Sequence, residues 1–275
     1  MAGGAPGLEA GLTILELVSA DRMGASFSTV LKVLPQSKAS VARFLKSMVE
    51  AGYLRKEGGR YLPGLRFALM ASRVRFSDHL AVVADPIVRE ASEKLQNTCL
   101  FIEWDHLELR CLCRHLQPQA PSLQAPGSVN AGLGGTPSGW VALVHLEKKF
   151  GRTWEGFVHS RKDAARAPLI EESLQWVRTH GFGYDNGNIF RGVRRLAAPV
   201  YGLEDELLGT IELGATEHTA PEDKVLAIGA DLIGFGNRIT TALRALLQGT
   251  PGGEPSGAGT RFDRPAVADR KANQI

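Results

Sequence analysis

Along the first part of the chain, apolar residues recur at the spacing of short helices and then change period. Leu8, Leu12, Leu15 and Val18 form a stripe on a helix from Leu8 to Val18. Val30, Leu31 and Leu34 mark a shorter helix over Phe27 to Leu34, stopped by Pro35, which cannot continue a helical ladder. After Ser37, Val41, Phe44, Leu45, Met48 and Val49 share one face. Ala39, Arg43, Lys46, Ser47 and Glu50 lie opposite, with Ser40 at the border. Ser37 occupies an N-cap position and Gly52 closes the helix. From Tyr53 to Leu62 the pattern becomes two short strands around Glu57-Gly58-Gly59, where glycine supplies the positive φ of a tight turn. Three short helices and a hairpin predict a winged helix-turn-helix.

The later pattern is different. Leu65 to Phe76 follows Pro63-Gly64 and predicts a connecting helix. His79 to Gln96 predicts another, with Leu80, Val83, Ile87, Ala91 and Leu95 on one side; Pro86 kinks it or begins its second part. Thr98 to Trp104 and Leu107 to Arg114 alternate as strands around Asp105-His106. Residues 117–139, rich in Pro, Gly and Ser, read as a loop ending at a helix that starts near Pro137. Leu169 to Gly181 is helical. Leu196 to Tyr201 and Leu207 to Leu213 are strands joined by the acidic turn Glu204-Asp205, and Lys224 to Leu247 is the last helix. From Gly249 onward Gly, Pro, Ser and charge dominate, which predicts a disordered tail. This half reads as α+β, a mostly antiparallel sheet with helices packed on it, a build that hosts small-molecule pockets. The expected organisation is a DNA-binding domain over 1–64, a linker helix over 65–78, an effector-binding domain over 79–248 and a tail over 249–275.

Charge sharpens the division. Residues 1–77 hold eleven Lys or Arg against five Asp or Glu, a difference of +6; the whole chain is +3, so the remainder carries −3. A basic arm on a mildly acidic body fits a nucleic-acid face joined to a sensing domain. Lys38, Lys46, Lys56 and Arg60 are expected to neutralise phosphates, releasing counterions. Ser37, Lys38 and Ser40 lie in the first helical turn, whose free N–H groups also favour a phosphate, although Ser37 serves equally as a plain cap. Arg43 is the expected base reader, since its fork matches guanine O6 and N7.

Other functions find little support. No apolar run reaches the ~20 residues needed to cross a bilayer, and Met-Ala-Gly-Gly-Ala-Pro-Gly carries no secretory signal. A cytoplasmic address without membrane association is therefore expected. Cys99, Cys111 and Cys113 form neither a disulfide scaffold nor a CxxC pair, and Cys111 and Cys113 are expected on one strand face. The seven histidines show no metal-binding spacing, and no nucleophile elbow or Walker loop occurs. No catalytic residue, metal or cofactor is expected, so the chain is not read as an enzyme.

The chain resembles the IclR family of bacterial transcriptional regulators over residues 8–247. The likeness rests on Leu8-Glu-Ala-Gly-Leu-Thr-Ile-Leu-Glu-Leu, on Ser37 to Leu54 and on Tyr61-Leu-Pro-Gly-Leu-Arg. It continues in Gly192-Val-Arg-Arg-Leu-Ala-Ala-Pro-Val200 and Leu208-Gly-Thr-Ile-Glu-Leu-Gly214. The resemblance implies a dimer, with a homotetramer common in the family, that binds operator DNA and joins a GAF-like effector domain through a linker helix. Small organic acids or aromatic metabolites commonly set the activity of members. It also implies the pocket: Gly134, Gly135, Thr136 and Ser138 as neutral donors for a carboxylate or phosphate, Asp185 for an effector hydroxyl or amine, and Arg195 for an acid group. Glu212 would partner an inward Arg195; otherwise the two form a surface cross-strand pair. The chain departs from the family where Trp140 replaces a usual Lys, where Arg195 replaces a small or thiol residue, and where Glu212 stands in place of Ser. A metabolite-sensing or protein-interaction module that no longer controls promoters is the alternative reading.

Overall fold

A computed structural model describes residues 5–105, 108–158 and 165–248 of the chain. The turn residue His106 and the tail from Gly249 lie outside the described residues. Contacts divide the chain into two compact units, Met1–Phe76 and Ser77–Ile275.

In the first unit α1 (Pro6–Ser19), β1 (Ala25–Ser26), α2 (Phe27–Val33) and α3 (Lys38–Glu50) precede β2 (Leu54–Glu57), β3 (Arg60–Pro63) and α4 (Leu65–Ala71). The strands pair antiparallel in the order β1-β3-β2, with Gly58 and Gly59 both at positive φ in the β2–β3 turn. Ala10, Ile14, Val18, Val30, Val41, Leu45 and Leu54 make the core. The stripe expected on α1 is corrected: Leu8 is 64% and Leu12 52% exposed. Ala10, Ile14 and Val18, one helical turn apart, turn inward instead, leaving each of those leucines about 200° away round the helix. Strand β1 was not foreseen. It exists because Gly24, at φ +64°, brings the backbone against β3, where a Cβ would stand 2.1 Å from the Tyr61 carbonyl. The connecting helix expected to reach Phe76 ends at Ala71. There the Ser72 hydroxyl returns to the Leu69 carbonyl, and Arg73 and Val74 close three-residue turns on Met70 and Ala71.

The second unit runs α5 (Phe76–Leu95), β4 (Thr98–Asp105), β5 (Glu108–His115), β6 (Val129–Ala131), α6 (Pro137–Phe150) and α7 (Ala167–His180). It continues with β7 (Gly183–Asn186), β8 (Val193–Tyr201), β9 (Leu207–Thr216) and α8 (Val225–Leu247). Six antiparallel strands lie in the order β6-β5-β4-β9-β8-β7. Helix α5 passes through Pro86 as one element. Core residues fall into two clusters, one on each side of the sheet. Cys99, Phe101, Leu196, Ala198, Ile211 and Leu213 join residues of α5 and α8, while Leu100, Ile102, Leu109 and Cys111 join α6 and α7. The middle strands β4, β8 and β9 are buried over most of their length, which explains their nearly continuous apolar runs.

One face assignment changes. The β4–β5 register shifts so that Phe101 faces Cys113 while Ile102 faces Cys111, leaving Leu112 extra. A bulge of this kind breaks the two-residue alternation. Cys111 therefore enters the α6 cluster and Cys113 the α5 cluster, on opposite sides of the sheet.

Glycine tests the first unit directly. Gly11, inside α1, has open space where a Cβ would stand. Gly11→Ala is expected to stabilise this unit by about 0.5–1 kcal/mol. Gly24→Ala is expected to destabilise it by more than 1 kcal/mol through positive φ and overlap with β3. Denaturant unfolding followed by circular dichroism reads both.

Candidate functional site

The first candidate is the outer face of α3 and the adjoining hairpin. Ser37 caps the helix, its Oγ accepting from the Ser40 amide at 3.3 Å and touching the Ser40 hydroxyl at 3.1 Å. The cap leaves the first-turn N–H groups pointing out of the helix end. Val41 and Leu45 are fully buried and fix the rotation of the helix, so Lys38, Arg43 and Lys46 stand on the exposed side. Lys46 lies 3.7 Å from Glu50 in an exposed pair, which contributes little and is easily exchanged for another anion. In the hairpin, Lys56 extends over the Tyr61 ring at 5.6 Å. A cleft of about 330 Å³ between helix and hairpin is bordered by Lys46, Lys56, Glu50 and Tyr61.

Arg60 departs from the expected phosphate role. Its Nε donates to the Met23 carbonyl at 2.7 Å and its Nη2 to the Gly24 carbonyl at 2.6 Å. Those bonds tie the β1 turn to β3, and the guanidinium is half-buried in doing so. Its position in the hairpin alone could not distinguish a phosphate clamp from a turn clamp.

The second candidate is a half-open cavity of about 720 Å³ in the second unit, walled by strands of the sheet and by loops. Gly135, Thr136, Arg195 and Glu212 line it, as expected. Gly134, Ser138 and Asp185 do not reach its wall; Ser138 and Asp185 hold Glu212 and Arg195, which do. Thr136 caps α6, its Oγ1 accepting from the Gly139 amide at 3.0 Å. Gly139 has no alternative there, since a Cβ would stand 2.0 Å from the Leu133 carbonyl. Trp140, wholly buried, donates its Nε1–H to the Gly134 carbonyl at 3.0 Å and ties down the glycine loop from behind. Trp140 is thus a structural anchor of the loop.

Arg195 and Glu212 are buried, at 4% and 5% exposure, which excludes a surface pair. The partner of Arg195 is Asp185, directly across the β7–β8 ladder. Arg195 Nε and Nη2 donate to Asp185 Oδ2 at 3.2 and 3.0 Å. The other carboxylate oxygen accepts from the Asn188 and Ile189 amides at 2.9 and 3.3 Å. Both oxygens of Asp185 are thus engaged within the protein, and they hold the Arg195 guanidinium in place. The Phe190 ring lies over the guanidinium at 5.3 Å. Glu212 accepts from the Ser138 hydroxyl at 2.6 Å, and Thr210 donates to Ser138 at 2.7 Å. Burial pushes the Glu212 carboxyl above its ordinary range, against the pull of Arg195 and Ser138.

Sequence reasoning missed Arg166, Asn130, Leu123, Ile189, Phe190 and Val193 on the cavity wall. All but Asn130 and Val193, which lie on or beside strands, come from loops without local periodicity, and only their convergence in space marks them. Elsewhere, burial pushes the thiols of Cys99 and Cys111 up to about 12 and Cys113 higher still. Neutral buried thiols are poor nucleophiles. Among the described residues no group of His, Cys, Asp and Glu is arranged to hold a metal, and no helix is long and apolar enough to cross a membrane.

Comparison with known proteins adds a common thread. Residues 7–58 match the model of the IclR helix-turn-helix domain. The transcriptional repressor IclR of Escherichia coli strain K12 is 22% identical over 245 residues, 86% of this chain and 89% of the repressor. A solved IclR-family transcriptional regulator from Rhodococcus sp. is 18% identical, with a TM-score of 0.65 over 88% of this chain and 96% of its own. An IclR homolog from Microbacterium hydrocarbonoxydans, solved in complex with 4-hydroxybenzoate, is 18% identical, with a TM-score of 0.51 over 87% and 99% of the two chains.

The buried ion pair carries a test of its own. Asp185→Asn strands the Arg195 charge and is expected to destabilise the second unit by about 3–5 kcal/mol. Adding Arg195→Met is expected to restore a large part of that loss, giving a strongly non-additive double-mutant cycle in denaturant unfolding.

Proposed function

Because the chain belongs to the IclR family of transcriptional regulators, we propose that it binds operator DNA as a dimer and changes that binding when a small organic or aromatic acid fills the cavity beside Arg195. The observation that carries the DNA half is the exposed row of Lys38, Arg43 and Lys46 on a capped helix whose opposite face is buried. A helix so fixed presents its N-terminal half and its cationic side chains to a major groove. Arg43 reads a base there, while Lys38, Lys46 and Lys56 meet phosphates. Arg60 supports the hairpin that carries Lys56. Pairing of two such units on a repeated half-site supplies the affinity that one short helix lacks.

The cavity supports the effector half. It joins a cationic rim, Arg166 and Arg195, to an apolar flank of Leu123, Ile189, Phe190 and Val193, with Thr136 and Asn130 as neutral partners. An aromatic or branched acid fits that division: carboxylate toward the guanidinium groups, ring or chain toward the apolar flank. The 4-hydroxybenzoate bound by the Microbacterium homolog is of this class.

Selection of genomic fragments by the purified chain tests the DNA half, with a palindromic site enriched if the reading holds and only random fragments retained if it fails. On the enriched site, Arg43→Ala is expected to cost about 1–3 kcal/mol while leaving binding to random duplex nearly unchanged. Lys56→Ala is expected to weaken both and lower the salt slope by about one. Equal losses on both DNAs for Arg43→Ala contradict its base-reading role.

A further inference from the structure

Among the described residues, Glu212 is the one acidic side chain on the cavity wall. It is buried, with one edge on the cavity, and has no ion-pair partner among the described residues. Arg195, the nearest cation on β8, is already engaged by Asp185 of β7. From α6 only the Ser138 hydroxyl meets it. Across β4 its register neighbour is the apolar Leu100. On β5, Cys111 is close enough to feel its charge but is a neutral thiol. Arg166 is the remaining charged residue on the wall, and it is exposed to solvent.

Among the described residues of the wall, Arg195 and its partner Asp185 cancel and Arg166 balances Glu212 if its carboxyl is ionised, while Arg114 of β5 is held by the Leu123 and Gln124 carbonyls. A ligand carboxylate entering this cavity adds a second anion beside the buried Glu212 carboxyl. Two carboxylates sharing one site do not both stay ionised readily, and the proton settles on one of them. The ligand's group meets the guanidinium groups at the rim. Glu212, buried on β9 with only the Ser138 hydroxyl donating to it among the described residues, is the carboxyl left to take the proton.

We propose that an anionic ligand enters this cavity together with one proton, which Glu212 keeps while the ligand is bound. The inference rests on the cavity being the acid-binding site of the preceding section. In the balance, the ligand stays a carboxylate, one proton is taken from solvent, and the Glu212 carboxylate becomes a carboxylic acid. Burial already biases it that way by lifting its carboxyl above the ordinary range, with Arg195 and Ser138 opposing and Asp185 assisting. Bound ligand lifts it further. Affinity is therefore flat at low pH, where Glu212 is protonated in either state. It falls as pH rises between the free and bound titration points, then levels off. The Ser138 hydroxyl steadies the ionised form, so it holds that fall at lower pH than burial alone would give.

Calorimetric titration of the full chain with benzoate and with 4-hydroxybenzoate, in two buffers of different ionisation heat, counts the protons taken up. Between about pH 5.5 and 8.5 both ligand carboxyls are ionised and the arginines stay charged. The expected result is uptake approaching one proton and an affinity that drops by up to about tenfold per pH unit over the linked range. Glu212→Gln is expected to bind with no proton uptake and no such fall, and Ser138→Ala to move the fall to higher pH. Binding by the native chain without proton uptake, or an unchanged fall in Glu212→Gln, overturns the proposal and leaves the acid site intact. Failure of both acids to bind at any pH overturns the acid site itself, and this inference with it.

Discussion

Both faces of the six-stranded sheet are covered by helices, so a polar group on its middle strands must find its partners within the protein. This constraint organises the second unit. Arg195 on β8 is held by Asp185 on β7, and Glu212 on β9 by Ser138 at the start of α6. The cavity wall is where that polar chain meets loops instead of a helix. A buried ion pair seldom adds net stability, but removing one member leaves a charge that nothing solvates. The pair thus fixes the direction of a guanidinium that would otherwise be mobile, and a fixed guanidinium binds an acid with less ordering to do.

The glycine loop ahead of α6 follows from the same packing. Gly139 is pressed against the Leu133 backbone, Trp140 reaches back to Gly134, and Thr136 closes the first turn. The Trp140 indole fills the core beneath the loop, and the charged groups of the site, Arg195 and Glu212, come from the sheet.

Much of this was legible in the sequence, and the failures have physical causes. The recognition helix was readable because its cap, apolar face and glycine stop agree with one another. The hairpin followed from Gly58-Gly59, the only pair that permits its turn. The stripe on α1 misled because Leu8 and Leu12 are more apolar than Ala10, although the smaller residue allows the closer approach. The thiols were placed on one face because a bulge at Leu112 leaves no trace in a two-residue pattern. Strand β7 went unseen because Gly183 to Asn186 has no apolar alternation, and with it the Asp185–Arg195 pairing, which spans ten residues and is set by register. The exposed-rim residues Arg166 and Phe190 come from loops, where no period exists to read.

If the two candidate sites serve one purpose, filling the cavity alters DNA binding. Fluorescence anisotropy of the full chain on its selected DNA site, titrated with and without a saturating cavity-binding acid, tests this most directly. An affinity change of about 5–150-fold is expected, which the paired change Asp185→Asn with Arg195→Met abolishes while leaving ligand-free DNA binding intact. An unchanged DNA affinity in the presence of acid known to occupy the cavity would contradict it.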